Sequence, residues 1–320
     1  MKKVLFATTA LVATAGFASA QGIELSGSAE MGYAGGQGAE GFLSSVDVRF
    51  SMSGETDNGL TFGATVDLED AAQQNTTTEV VDASADFTVF IGGAFGNLTL
   101  GDTDGAMDWA ITEAVGSAGS LNSDETQHGG YYEPGLDGTQ NGQVLRYDNT
   151  FGDFGVAVSA ENEDEENLAP GVAVGLRYNV AFAGGSVALG GAYATSEAPA
   201  AGDTIGGTAI AAETNIDSWG LSAALTLDSG FTAGIAYTDI ETNAGQDFEH
   251  YQISAGYAFG PFALGVNYGD WSGNATQSGY GITGSYDLGG GASLHAGYAS
   301  TDNATGNDPD RYSFGLAMSF

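Results

Sequence analysis

Residues 46–69 read VDVRFSMSGETDNGLTFGATVDLE, and this stretch indicates the fold. Apolar and polar residues alternate from Val46 to Ser53 and again from Leu60 to Glu69. A period of two is typical of a β-strand with one apolar and one polar face. Between them lies Thr56-Asp57-Asn58-Gly59, and Asn, Asp and Gly suit the backbone angles of a tight turn. The stretch therefore predicts two antiparallel strands joined by a short turn.

The same alternation recurs to the last residue, and the connections alternate between tight turns and longer polar loops such as 161–170, 195–215 and 300–309. Short turns on one rim and long loops on the other are typical of outer-membrane barrels. We therefore predict an all-β fold, a 16-stranded antiparallel up-and-down transmembrane β-barrel. Its predicted strands are 22–33, 43–55, 60–69, 82–92, 97–102, 143–149, 154–161, 171–181, 186–195, 216–227, 231–239, 248–258, 262–269, 277–287, 292–299 and 310–320.

The first twenty residues have the pattern of an export signal. Lys2 and Lys3 precede an apolar run over 4–17, and Ala18-Ser19-Ala20 fits a cleavage site. The alternative is an N-terminal membrane anchor, but the run is shorter than the ~20 residues that a spanning helix needs. We expect residues 1–20 to be a signal peptide and residues 21–320 to form a single barrel domain.

Composition excludes several classes of function. The chain has a net charge of −35 with only six Lys and Arg, so nucleic acid is not an expected partner, because phosphate binding needs basic residues. It has no cysteine, which excludes disulfides and thiolate metal sites.

The positions of the four arginines also fit a barrel. Each stands at a polar position of an alternating segment, and an arginine facing lipid at mid-bilayer costs about 2–4 kcal/mol. We therefore expect the arginines, and the strand aspartates that share their parity, to line the lumen. These residues are Arg49, Arg146, Arg177, Arg311, Asp47, Asp67, Asp86 and Asp148.

The sequence resembles the general porins of Rhodobacter-type α-proteobacteria. The resemblance is most specific over residues 44–49 and 54–64, over 95–104, at Leu145-Arg146-Tyr147-Asp148 and at the terminal Phe320. It implies a homotrimer in the outer membrane of a Gram-negative bacterium, with a water-filled channel for passive diffusion of small hydrophilic solutes and ions. It also implies a third loop, approximately residues 102–142, that folds inward to narrow each channel.

The resemblance further implies a constriction between basic wall residues and acidic loop residues. Arg49 and Arg146 match the wall positions. The acidic candidates on the loop are Asp108, Glu113, Asp124, Glu125 and Glu133. The loop carries more carboxylates than the wall has arginines, and a pore lined by carboxylates prefers cations. We therefore expect moderate cation selectivity.

Two other classes of function remain open at this point, an outer-membrane barrel hydrolase and a structural or adhesive barrel whose acidic loops bind cations. No Ser stands in a recognisable nucleophile motif, and His128, His250 and His295 lack metal-ligand spacing. We expect a protein that is not an enzyme and has no cofactor beyond weakly bound Ca²⁺ at acidic loops. Its expected partners are copies of itself, outer-membrane lipid and lipopolysaccharide, and small solutes.

Overall fold

The computed structural model describes residues 22–36, 40–69, 74–75, 78–79, 84–116, 118–121, 128–137, 143–162, 169–198, 204–303 and 310–320. Almost all of them belong to one sheet of antiparallel neighbours. The expected signal peptide lies outside the described residues, as do Asp124 and Glu125.

Sixteen strands follow one another around the barrel. They are β1 Gly22–Gly36, β2 Gly41–Glu55, β3 Thr61–Glu69, β4 Ser84–Gly93, β5 Gly96–Gly101, β6 Gln143–Phe151, β7 Phe154–Asn162, β8 Gly171–Phe182, β9 Gly185–Ala198, β10 Thr214–Leu227, β11 Phe231–Thr242, β12 Asp247–Phe259, β13 Phe262–Gly273, β14 Gln277–Gly289, β15 Ala292–Asn303 and β16 Asp310–Ser319. Short ladders at Gln74–Asn75 with Thr78–Glu79, and at Thr204–Ile205 with Thr208–Ala209, lie within loops.

The sheet closes because the last strand pairs with the first. β16 is antiparallel to β1, with Ser319 opposite Ser28 and Arg311 opposite Gly36. The amide of Phe320 donates to the carbonyl of Gly27 at 2.9 Å, so the C-terminus is fixed at the short-turn rim. The predicted sixteen-stranded closed barrel is confirmed.

The outer face carries large apolar side chains, as the alternation predicts. Leu221, Ile235 and Ile282 are each at least half exposed. A barrel can present such residues to lipid because all of its backbone groups pair between strands.

Several strands extend past their predicted ends at the long-loop rim. β11 ends at Thr242, β12 begins at Asp247 and β13 ends at Gly273, so only 243–246 connects the first two of these strands. The polarity of the two faces inverts here: Glu241 is exposed whereas Ile240 and Phe248 are fully buried. The period of two continues, but the apolar residues face inward, and the prediction ended the strands where the outward apolar pattern stopped.

The described residues contain one helix, α1 Ala106–Ala110, which lies in the third loop. No helix among the described residues is long and apolar enough to cross a membrane.

Adjacent positions on β4 test the assignment of faces. Val89 is half exposed on the outer face, whereas Thr88 shares the parity of Asp86. We expect Val89→Arg to lower the free energy of unfolding by about 2–4 kcal/mol, because the charge would enter hydrocarbon. Thr88→Arg is the matched control and should have a much smaller effect. Urea unfolding in lipid vesicles measures both, and equal destabilisation would contradict the assignment.

Candidate pore constriction

The third loop lies inside the barrel and follows its inner wall. It leaves β5 at Asp102, and serine hydroxyls from the wall then accept hydrogen bonds from its backbone. The amide of Ala106 donates to Ser159 on β7 at 2.8 Å, and that of Thr112 donates to Ser222 on β10 at 2.8 Å. The amide of Leu121 donates to Ser313 on β16 at 3.3 Å. The outgoing part of the loop therefore crosses the lumenal face from β7 to β16.

The returning part of the loop is bound in the same way, now through its carbonyls as well. The amide of Gly129 donates to Thr301 Oγ1 at 2.8 Å. His250 Nε2 lies 2.8 Å from the carbonyl oxygen of Gly130, to which it can only donate, and Gln252 Nε2 donates to the carbonyl of Tyr132 at 3.0 Å. Hydrogen bonds along both its outgoing and its returning part therefore fix the third loop without any disulfide.

Glycines on the wall allow this close approach. A Cβ atom at Gly175 would collide with the carbonyl oxygen of Ala106, and one at Gly190 would collide with that of Ala110. Both glycines occupy inward positions of β8 and β9, so the backbone of α1 rests directly on the backbone of the wall. No other residue type could occupy these positions without displacing the loop.

The wall residues Arg49 and Arg146 are engaged in specific contacts. Arg49 Nε donates to Asp67 Oδ2 at 2.6 Å across the β2–β3 pair. Arg146 donates to the carbonyl of Asp104 at 2.6 Å and lies 3.4 Å from Asp148. Each of these two arginines therefore lies beside a carboxylate on its own face of the sheet.

Arg177 has a different partner. Its guanidinium carbon lies 4.2 Å from the ring centroid of Trp109 on α1, which is cation–π geometry. A Cβ atom at Gly155 would lie 3.0 Å from the same indole ring. The pair therefore docks α1 against β7 and β8. Sequence reasoning missed Trp109, because one Trp in a loop carries no signal of its partner.

The loop brings together three of the five predicted acidic residues. The carboxylate oxygens of Asp108, Glu113 and Glu133 lie within 4.8 Å of one another, and the hydroxyl of Tyr131 donates to Glu113. Burial raises the pKa of Asp108 to about 9, and neighbouring carboxylates at Asp104, Asp137, Glu133 and Glu113 raise it further. At neutral pH Asp108 is therefore protonated and adds no negative charge.

The remaining predicted lumenal residues occupy neighbouring strands. Asp86 stands opposite Asp67, and Ser28 donates to Asp47 at 2.9 Å. Arg311 lies at the long-loop end of β16, opposite Gly36 and Ala299. We call the lumenal face of β2 to β6 the charged arc, since it carries Asp47, Arg49, Asp67, Asp86, Arg146 and Asp148.

An apolar cluster fills part of the lumen on the opposite side, which the sequence did not predict. Buried residues from the wall, from the third loop, from the loop between β9 and β10 and from the connection between β13 and β14 form one cluster inside the barrel. We call it the lumenal apolar cluster: Met107, Ile111, Leu136, Ala194, Ala198, Ile210, Ile216, Ala236, Ile240, Phe248, Trp271 and Ala275. The sequence did carry one signal of this cluster, namely apolar residues at inward positions near the strand ends.

A single methyl group tests how tightly α1 lies on the wall. We expect Gly190→Ala to displace α1 towards the opening, lower single-channel conductance and cost about 1–3 kcal/mol of stability, as overpacking generally does. Gly191→Ala is the matched control, because a Cβ atom there meets only the end of Leu221 at 3.3 Å. Planar-bilayer recordings and urea unfolding compare the two variants. Unchanged conductance in Gly190→Ala would contradict the packing described.

Comparison with known proteins identifies the family. A family model described as Gram-negative porin matches residues 7–306. A porin from Rhodobacter capsulatus is 31% identical over 299 residues, which cover 88% of this chain and 94% of the relative. The fold is similar to a porin structure refined at 1.8 Å resolution, with a TM-score of 0.72 and 24% identity over 93% of this chain and 100% of the other. It is also similar to a triple mutant of Rhodopseudomonas blastica porin, with a TM-score of 0.65, 16% identity and the same coverage.

These matches also exclude the hydrolase alternative, because porins are channels and not enzymes. Together, the matching family model and the Rhodobacter capsulatus relative show that this chain belongs to the Gram-negative porin family, whose members form channels in the outer membrane.

Proposed function

We propose that this porin passes small hydrophilic solutes and ions with a preference for cations, and that Arg49, Arg146 and the loop carboxylates set that preference. The pairing of the arginines supports the proposal. Arg49 is bound to Asp67, and Arg146 contacts both Asp104 and Asp148. An arginine held against a carboxylate contributes little net positive potential, so each wall arginine is largely neutralised where it stands.

The loop carboxylates then decide the sign of the field. Glu113 and Glu133 lie beside the protonated Asp108 on the loop. Burial also raises the pKa of Asp137, and hydrogen bonds from the backbone of Gly105 and of Asp137 itself, with a smaller contribution from Arg146, partly oppose this effect. The loop is therefore less negative than its sequence suggests. Its remaining carboxylates still set the sign, because Arg49 and Arg146 are already paired with other carboxylates. A negative potential in a pore favours cations.

Reversal potentials test the sign of selectivity. Across a tenfold KCl gradient we expect a zero-current potential that indicates K⁺ over Cl⁻, and a weaker preference near 1 M salt, where the screening length falls to about 3 Å. Arg49→Gln should increase the preference and Glu133→Gln should reduce it. Asp239→Asn is the control, because Asp239 lies at an outward position beside Tyr237. Anion preference in the unmodified protein would refute the proposal.

The protonation of Asp108 gives the selectivity a pH dependence. A carboxyl group with a pKa of about 9 is neutral at pH 7 and ionises as the pH rises through that value. Cation preference should therefore increase on the alkaline side. Asp108→Asn should keep the preference measured at neutral pH and lose the alkaline increase. Reversal potentials between neutral and alkaline pH measure this, and an equal rise in both proteins would assign it to another group.

We further propose that Asp108, Glu113 and Glu133 bind Ca²⁺ weakly. Their oxygens lie within 4.8 Å of one another, and Ca²⁺ takes carboxylate oxygens as ligands. Calcium would have to displace the Asp108 proton, so we expect binding to strengthen as the pH rises. Isothermal calorimetry of the unmodified protein and Glu133→Gln tests this, and equal heats would exclude the site.

Assembly, export and lipid contacts complete the proposal. We infer a homotrimer from family membership, and cleavage after Ala20 from the A-x-A pattern.

At the long-loop rim, tyrosine hydroxyls at outward positions donate to carboxylates, as from Tyr193 to Asp217 at 2.6 Å and from Tyr268 to Asp270 at 2.7 Å. Aromatic rings suit the membrane interface, and divalent cations could link these carboxylates to lipopolysaccharide phosphates. Native mass spectrometry in mild detergent, with and without EDTA, measures subunit number, mature mass and bound lipid together.

A further inference from the structure

The loop between β9 and β10 folds into the barrel instead of making a tight connection. Ala198 and Thr214 are paired across these neighbouring strands, so a few residues would suffice to join them. The loop instead contains the ladder Thr204–Ile205 with Thr208–Ala209, which we call the inner hairpin. Ile210, which follows it, is only 2% exposed.

The hairpin is bound to strands on the far side of β10. Thr208 Oγ1 donates to the carbonyl of Asn274 at 3.0 Å, beyond the end of β13, and Gln246 Nε2 donates to the carbonyl of Ala209 at 3.2 Å. Three strand spacings of about 4.8 Å separate β10 from β13, so the hairpin reaches at least ~14 Å across the long-loop rim.

The contacts of the hairpin are with inward-facing residues. Trp271 shares the parity of Asn267 and Gly269, which touch the third loop, and a Cβ atom at Gly206 would collide with the Trp271 ring. Ile210 belongs to the lumenal apolar cluster and Ile205 packs against it. Hence the hairpin lies over the inside of the barrel, not over its outer face.

The same cluster contains the third loop. Met107 and Ile111 come from α1 and its C-terminal end, Leu136 comes from the returning part, and all three are at most 8% exposed. Tyr132 packs against the cluster, with its ring 4.8 Å from that of Trp271. The hairpin and the third loop are thus two sides of one buried apolar contact, and neither can move without exposing the other.

We propose that the inner hairpin is a second determinant of pore size: through Ile205 and Ile210 it fills the lumen in front of β8 to β13, holds the third loop against that wall and confines the water-filled path to the charged arc. Buried apolar contact excludes water from the part of the cross-section that the cluster fills, because removing apolar surface from water is favourable. Polar wall residues beside the cluster, such as Thr238 and His250, are buried as well. Solutes therefore pass close to Arg49, Asp67 and Arg146, and their selection by charge depends on the hairpin.

The test combines a double variant with size exclusion. Ile205→Asn with Ile210→Asn places two amides in the cluster and should release the hairpin. We expect single-channel conductance to rise, the exclusion limit for neutral polyethylene glycols to shift to longer chains, and cation preference to fall as the path widens. Thr204→Asn introduces the same residue at an exposed hairpin position and should behave like the unmodified protein.

A disulfide provides an independent readout. The chain has no cysteine, so Thr208→Cys with Asn274→Cys introduces a single pair at two residues in hydrogen-bond contact. We expect this bond to form, to leave conductance at the unmodified level, and to restore that level when added to the double variant until a reductant is applied. If the double variant does not fold, the disulfide in the otherwise unmodified chain decides by forming or failing to form.

Two results would overturn the inference. One is an unchanged exclusion limit in a folded double variant, and the other is a cysteine pair that stays reduced under oxidising conditions. The inference rests on the proposed channel function, and the controls separate the two claims. An unmodified protein that conducts no ions would refute the channel function. Normal conductance of the unmodified protein, with an unchanged exclusion limit in the folded double variant, would refute only the role of the hairpin.

Discussion

Backbone amides and carbonyls at the level of the hydrocarbon must find partners within the protein, because that region contains no water to bind them. The chain meets this constraint by pairing each of sixteen strands with two neighbours, including β16 with β1. Closure requires the strands to alternate between lipid and lumen, and it creates an interior that the rest of the chain must fill or leave open. The third loop, the charged arc and the lumenal apolar cluster are all arrangements of that interior.

The interior is divided unequally. From β7 to β16 the third loop lies on the wall, close enough that Gly175 and Gly190 have no room for a side chain. From β2 to β6 the wall carries paired charges, Arg49 with Asp67 and Arg146 with Asp148. A loop held by backbone hydrogen bonds to wall serines is positioned more firmly than one held by exposed ion pairs, since exposed pairs contribute little. One side of the constriction is therefore the firmly held third loop, and the other side is the charged arc.

Net charge is a poor guide to the field in the opening. The chain has a net charge of −35, but exposed charges beyond about 10 Å are largely screened at 0.1 M salt. The local groups matter more: Arg49 is bound to Asp67, Arg177 lies on the Trp109 ring, and burial keeps Asp108 protonated at neutral pH. Protonation of Asp108 removes one negative charge that a count along the sequence would include, and the ion pair of Arg49 with Asp67 leaves little net potential where it stands.

The sequence by itself determined the barrel, its sixteen strands, the alternation of tight turns with longer loops and the polar parity of Arg49, Arg146, Asp67 and Asp148 within the strands, because a period of two is a local property of neighbouring residues. It also delimited the third loop, since β5 ends at Gly101 and β6 begins at Gln143. Only the tertiary structure decided the grouping of Asp108, Glu113 and Glu133, the partner of Trp109 and the inner hairpin. These contacts join residues far apart in the chain, such as Ala106 with Ser159 and Thr208 with Asn274, and no local pattern encodes which distant wall a loop will meet. At the long-loop rim the two faces even exchange polarity, because above the hydrocarbon the outer face meets water and the inner face meets packed loops.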